Sequence, residues 1–238
     1  MEIIYQNRSP IRNSGFAPDS EPLSSGEIKL NSEGNFEKIV EIMRKNPLVE
    51  NMIPDFFPYR EACIDFLEIP LKNLAPSSLY VLRGELEIIK NLWGRLLTEY
   101  GLDILKLPKE RCLIEFFLKE SLYRVGPPII EVSPEDSGTL VIVDGLHRIT
   151  YARELGYKTV NVVMVSQPAI PLPVLPVEWS EIKLYDQTPP SELKRRYRFS
   201  SLREIYKWIA ENPQRFLRGF GEEPATKISS HFFYRRLI

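Results

Sequence analysis

The chain has 238 residues, 43% hydrophobic, 26% charged and 11% aromatic, which supplies apolar side chains for a sizeable core and excludes disorder over the whole length. Lys and Arg total 31 against 32 Asp and Glu, a formal charge of −1, so no global field draws the protein to nucleic acid or to an anionic membrane. Cys63 and Cys112 stand far apart without a CxxC and only two histidines accompany them, too little material for a zinc site or disulfide framework. The expectation is a cytoplasmic protein with no secretion signal and no membrane span, because the aliphatic runs are far shorter than the roughly 20 residues that cross a bilayer.

Residues 1–30 mix Ser, Asn, Pro and Gly without periodicity and read as a tail or as a segment that packs over something else. From Ser32, SEGNFEKIVEIMRKN sets Phe36, Ile39, Val40 and Met43 on one helical face, with Pro47 after its end. A proline and aromatic loop, NMIPDFFPYR, follows, its rings suited to filling a core edge. Residues 62–71 predict a strand with imperfect alternation. Leu86, Ile89, Leu92, Trp93, Leu96 and Tyr100 then repeat at helical spacing, and Gly101 stands where a glycine ends a helix. Pro108 is read as opening another helix, with Leu113, Phe116 and Phe117 on its apolar side and a break at Gly126-Pro127-Pro128. Runs 128–132, 139–144 and 159–165 predict strands. Asp136-Ser137-Gly138 turns the first into the second, and a helix striped by Leu146, Ile149, Ala152 and Leu155 and closed by Gly156 links the second to the third.

After residue 167 come prolines at 168, 171, 173 and 176, an extended connector and a candidate boundary. The last sixty residues predict a helix capped by Ser201 and Glu204 and striped by Leu202, Ile205, Tyr206 and Ile209. The organisation expected is therefore a tail (1–30), a central α/β domain (31–167), and a proline-rich connector with a basic helical extension packed on the same core (168–238).

The informative segment is VIVDGLHRITYARELGYKTVNVVMV, residues 141–165. A strand ends in Asp144, Gly145 permits a tight turn, and Leu146, His147 and Arg148 fall in the first turn of a helix. Free amide N–H groups and the positive helix end suit a phosphate, and an arginine fork adds charge that matches phosphate oxygens. His147 can donate a hydrogen bond or accept a proton near neutral pH, and Asp144 can hold a magnesium ion or take a proton from an attacking hydroxyl. An Asp-Gly helix start with a satisfied surface His-Arg pair is the structural alternative.

As a unit, DGLHRITYARELGYKTVNVVMV resembles the ParB/sulfiredoxin superfamily, in which a strand, a GxHR-type turn, a helix ending in Leu-Gly and a strand of branched residues follow one another. PPIIEV and TLVIVDG match the hairpin before the motif, and ACIDFLEIPLKNLAP at 62–76 matches a first strand and turn. The resemblance implies a small mixed sheet with helical N- and C-terminal extensions. Leu146 stands where sulfiredoxins carry Cys, and a proline-rich connector follows where partition proteins carry a basic helix-turn-helix region. The DGxHR form is most similar to the free serine kinases. That likeness implies ATP or ADP (with CTP as a third candidate) and Mg, with Gly145, Leu146, His147 and Arg148 on the nucleotide phosphates and Asp144 and His147 in catalysis. The glutamate that helps those kinases deprotonate the substrate hydroxyl has no match: Pro76-Ser77-Ser78 occupies its stretch, and the nearest acids, Glu85 and Glu87, begin the long helix.

Lys194, Arg195, Arg196, Arg198, Arg203, Lys207, Arg215 and Arg218 interleave with Tyr197, Phe199, Tyr206, Trp208 and Phe216, a pattern that suits single-stranded nucleic acid or phosphates of the same site. Glu178, Trp179, Glu181 and Asp186 are candidates for lining a substrate pocket, and His231 has no evident partner in the sequence. The leading expectation is a phosphotransferase that takes a nucleotide and a small hydroxylated metabolite, free amino acids among them. The alternative is a nucleotide- or nucleic-acid-binding regulatory protein without transfer chemistry. A purely structural role would lock Arg148 in an internal salt bridge.

Overall fold

The computed structural model describes residues 26–45, 57–118, 121–134, 138–169, 171, 174–190 and 193–198. In chain order they form β1 (Ile28–Gly34), α1 (Phe36–Lys45), β2 (Cys63–Pro70), β3 (Leu74–Pro76), β4 (Tyr80–Leu82), α2 (Arg83–Tyr100), β5 (Leu113–Leu118), β6 (Ser121–Val125), β7 (Ile129–Val132), β8 (Leu140–Asp144), α3 (Leu146–Glu154), β9 (Thr159–Ser166) and β10 (Lys183–Tyr185).

The centre is a five-stranded mixed sheet in the order β2-β9-β7-β8-β3, which makes the chain an α/β protein. β7 and β8 form the antiparallel hairpin expected from PIIEV and TLVIVD, with Val132 opposite Leu140. β9 lies parallel to β7, and β3 parallel to β8 with Pro76 opposite Ile142. Their branched residues leave successive side chains on opposite faces, and both faces are covered. On one side Ile130, Ile142, Val160 and Val162 meet Ile149 and Ala152 of α3. On the other, Ile129, Val143, Val163 and Val165 join Ile39 and Met43 of α1, Leu96 of α2 and Phe116 of β5. Each fully buried branched side chain contributes on the order of 1.5–3 kcal/mol, so the sheet is held from both sides.

The expected helices at 36–45, 86–100 and 146–155 are present, α2 starting at Arg83. Gly101 ends α2 at φ 67, with its N–H on the Leu97 carbonyl and that of Leu102 on the Leu96 carbonyl, both at 3.0 Å. The helix expected after Pro108 is instead a short 3-10 turn, Lys109–Arg111, followed by the β5–β6 hairpin. Phe116 and Leu118 are buried while Phe117 between them is only half-buried, a period of two that the apolar stripe had disguised. Its partner is β1, so residues 28–30 are a strand packed on β5 and not a free tail, and residues 32–34 extend that strand and do not begin α1. Ser32 and Arg124 both hydrogen-bond Glu115 at 2.5 Å, tying the three strands β1-β5-β6 across their outer face.

Residues 174–198 run back over β3 and β4. The Val177 N–H bonds the Pro76 carbonyl at 2.9 Å, Lys183 bonds Leu79 at 3.0 Å, and Leu79 bonds Lys194 at 2.9 Å. β10 adds to β4 in parallel, with Tyr185 opposite Leu82. The helix expected from Ser201, the basic residues beyond Arg198 and His231 lie outside the described residues. No helix among the described residues is long and apolar enough to cross a membrane.

Candidate functional site

β8 delivers Asp144 to the end of the sheet, and Gly145 turns the chain there at φ 86. A Cβ at this position would sit 2.9 Å from the Pro128 Cβ and 3.0 Å from an Arg148 guanidinium nitrogen, so both the left-handed backbone and the close approach require glycine. α3 starts immediately without a side-chain cap, and its first hydrogen bond runs from the Ile149 N–H to the Gly145 carbonyl at 2.9 Å. The amides of its first turn precede that bond. Gly145, not Asp144, therefore stands at the N-cap position of α3.

The segment's two charged residues face inward. Arg148, 3% exposed, donates one guanidinium nitrogen to Asp144 Oδ2 at 2.9 Å and another to the Gly126 carbonyl. Asp144 is 8% exposed, and burial pushes its carboxyl up against the opposing pull of Arg148. In this arrangement Arg148 and Asp144 pair with each other across the β8–α3 turn, the internal salt bridge that a structural role for Arg148 would show. Among the described residues, no three His, Cys, Asp or Glu side chains are grouped to hold a metal ion.

His147 faces the other way. Its Nε2 accepts a hydrogen bond from the Leu82 N–H at 3.1 Å and lies 3.1 Å from Glu85 Oε2. Leu82 is the N-cap residue of α2, which also lacks a side-chain cap, and Glu85 is in its first turn. The N-termini of α2 and α3 thus meet at the imidazole. His147 and Glu85 are 21% and 32% exposed, so this pair, unlike Asp144–Arg148, can be reached from solvent. The separation is that of an ion pair, but both groups are driven toward neutrality. Burial, reinforced by the Arg148 charge, pushes His147 down to about 4, and burial pushes Glu85 up to about 7. The positive ends of the two helices also disfavour an imidazolium.

Glu85 is the residue that sequence reasoning noted and set aside. It lies outside the stretch that matches the kinase glutamate, and only the β4–α2 connection beside α3 brings it to His147. Ser77 and Ser78, in that matching stretch, are buried at the end of β3; the Ser78 hydroxyl donates to the carbonyls of Tyr80 at 3.1 Å and Lys194 at 3.3 Å. The described part of KRRYR accordingly lies against the β3–β4 turn, a few residues before Glu85. The four residues proposed to line a pocket have local partners. Glu178 and Glu181 cap a 3-10 turn reciprocally, Trp179 donates to the Leu74 carbonyl at 2.6 Å, and Asp186 pairs with Arg83 at 2.9 Å.

No curated protein matches the chain. Among solved structures, SbnI with C-terminal truncation from Staphylococcus aureus is similar at 12% identity and a TM-score of 0.27, over 68% of each chain. The family model of the ParB CE domain matches residues 38–183, well over half of the chain, and the protein belongs to that family.

Proposed function

We propose that this ParB-family protein is a nucleotide-dependent phosphotransferase that acts on a hydroxyl of a small metabolite, with free hydroxy amino acids as the leading acceptors. The observation that carries the reading is the Glu85–His147 pair at the N-terminus of α3, which has no side-chain cap; the two groups are 3.1 Å apart and partly exposed. The terminal phosphates of ATP, ADP or CTP would rest on the first-turn amides of α3, where Gly145 lets the backbone approach closely. In its ionised form Glu85 takes the proton of the acceptor hydroxyl. The hydroxyl oxygen then attacks the terminal phosphorus, and the nucleotide leaves shortened by one phosphate. The chain supplies positioning and a base tuned near neutrality; no step is assigned to Asp144 or Arg148.

Calorimetric titration with the magnesium complexes of ATP, ADP and CTP, followed by a transfer screen over hydroxylated metabolites, tests this. One nucleotide binds, and Glu85→Gln keeps its affinity within about threefold while transfer falls by about 100-fold or more. Absence of binding for all three nucleotides, or undiminished transfer by Glu85→Gln, refutes it. Binding without transfer is the second reading, a regulatory nucleotide-binding protein, and it is favoured by the burial of Arg148, which leaves the motif no free arginine for transition-state charge.

A further inference from the structure

We infer that Glu85 carries, as a carboxylic acid, the proton between it and His147, that the Leu82 amide enforces this state, and that Glu85 rather than His147 exchanges protons at the site. Nε2 has one lone pair in the ring plane. The Leu82 N–H, 3.1 Å away, can donate to it only if Nε2 bears no hydrogen, which places the ring proton on Nδ1. Glu85 Oε2 lies 3.1 Å from the same nitrogen. A carboxylate there would set two lone-pair atoms against each other, whereas a Glu85 O–H directed at Nε2 removes that repulsion and shares the lone pair with the Leu82 N–H in a bifurcated arrangement. The opposite assignment, imidazolium with carboxylate, would turn the Nε2 hydrogen against the Leu82 hydrogen and orphan a backbone donor.

The surrounding charges act in the same sense. From α3, Arg148 opposes a positive ring. From the end of β8, Asp144 is neutralised by Arg148 at 2.9 Å. At the start of α2, Arg83 is paired with Asp186 beyond β10 at 2.9 Å. His147 is thus a positioning residue that holds the Glu85 carboxyl through Nε2. The downward displacement of His147 and the upward displacement of Glu85, to about 7, agree with that assignment.

The inference rests on the geometry of the pair and not on phosphotransfer, and it is read without nucleotide, so its failure and the failure of that reading are separable. The test uses the full chain carrying His231→Ala, which leaves one imidazole. Long-range proton–nitrogen NMR correlation reads the ring, and a carbon-13 titration reads the glutamate carboxyls. His147 is expected as the neutral Nδ1–H tautomer from about pH 8 to about pH 5. One carboxyl titrates some two units above an ordinary glutamate, and that signal disappears in Glu85→Gln. The glutamine amide still donates to Nε2 and keeps the tautomer. An Nε2–H tautomer, or an imidazolium forming near the ordinary midpoint of about 6.5 beside an ionised Glu85, overturns the inference. If the Glu85 variant does not fold, the ring measurement and the carbon-13 titration on His231→Ala still decide it together: a carboxyl titrating at about 7 is expected, and no carboxyl titrating above the ordinary glutamate range overturns the inference.

Discussion

Glu85→Gln and His147→Ala are expected to change the pH dependence of stability in opposite directions. Glu85 moves from an unfolded value of 4.5 to about 7 in the folded protein, so between those limits the native state holds a proton that the unfolded chain has released. Its contribution is fully present below 4.5 and is lost as pH rises through 7. His147 moves from 6.5 to about 4, so its contribution is present above 6.5 and is lost as pH falls through 4. Each bound-proton difference gives a slope of about 1.4 kcal/mol per pH unit. Over their windows the ceiling is about 3 kcal/mol for each group, and solvent screening reduces the Glu85 share to about 1–2 kcal/mol because it is 32% exposed. Between 4.5 and 6.5 the two slopes oppose each other, since folding moves a proton from imidazole to carboxyl without exchanging it with solvent. Urea midpoints measured across pH read this directly, as differences from wild type. Glu85→Gln removes the falling limb, so stability rises by about 1–2 kcal/mol more than wild type from pH 4.5 to 7. His147→Ala removes the rising limb, so stability falls relative to wild type from pH 4 to 6.5. Two variants that track the wild-type profile at constant offset would refute the neutral pair.

Arg148→Ala leaves Asp144 buried without its partner and the Gly126 carbonyl without a donor, which should cost about 3–5 kcal/mol in urea unfolding; loss of nucleotide binding with unchanged stability would instead place the guanidinium at the ligand. Gly145→Ala combines a backbone at φ 86 with a contact of 2.9 Å to Pro128, whereas Gly156→Ala at φ 79 has nothing within 4 Å. Thermal melts should show about 1–2 kcal/mol for Gly156 from the left-handed backbone alone and a clearly larger loss for Gly145. Asp103 accepts from Trp93 Nε1 at 3.0 Å, the Leu105 N–H at 3.0 Å and the Tyr157 hydroxyl at 2.8 Å. Asp103→Ala should cost about 1–3 kcal/mol and shift Trp93 fluorescence, and an unshifted spectrum with native stability would show that the clamp does not form.

What could be read from sequence follows from which interactions are local. The β7–β8 hairpin, α3 and β9 were legible because turn residues, a helical stripe and a branched run each decide their own conformation within a few residues. The end of α2 was legible for the same reason, since only a residue tolerant of positive φ suits Gly101. β5 was misread because Leu113, Phe116 and Phe117 satisfy a helical spacing as well as a strand, and the choice is made by β1, some eighty residues earlier in the chain, pairing Leu30 with Phe116. At the site the motif was legible and its division of labour was not. Asp144 and Arg148, four apart across the β8–α3 turn, could equally face a ligand or each other; the Gly126 carbonyl, in the β6–β7 connection, takes an Arg148 N–H and fixes the guanidinium inward. His147, between them in sequence, then projects toward the start of α2, where Leu82 and Glu85 wait. Glu85 thus comes to the motif from a helix that family spacing does not mark. In this chain the glycine of the motif builds the loop and the arginine locks it, while the partly exposed pair at the helix start is Glu85 and His147.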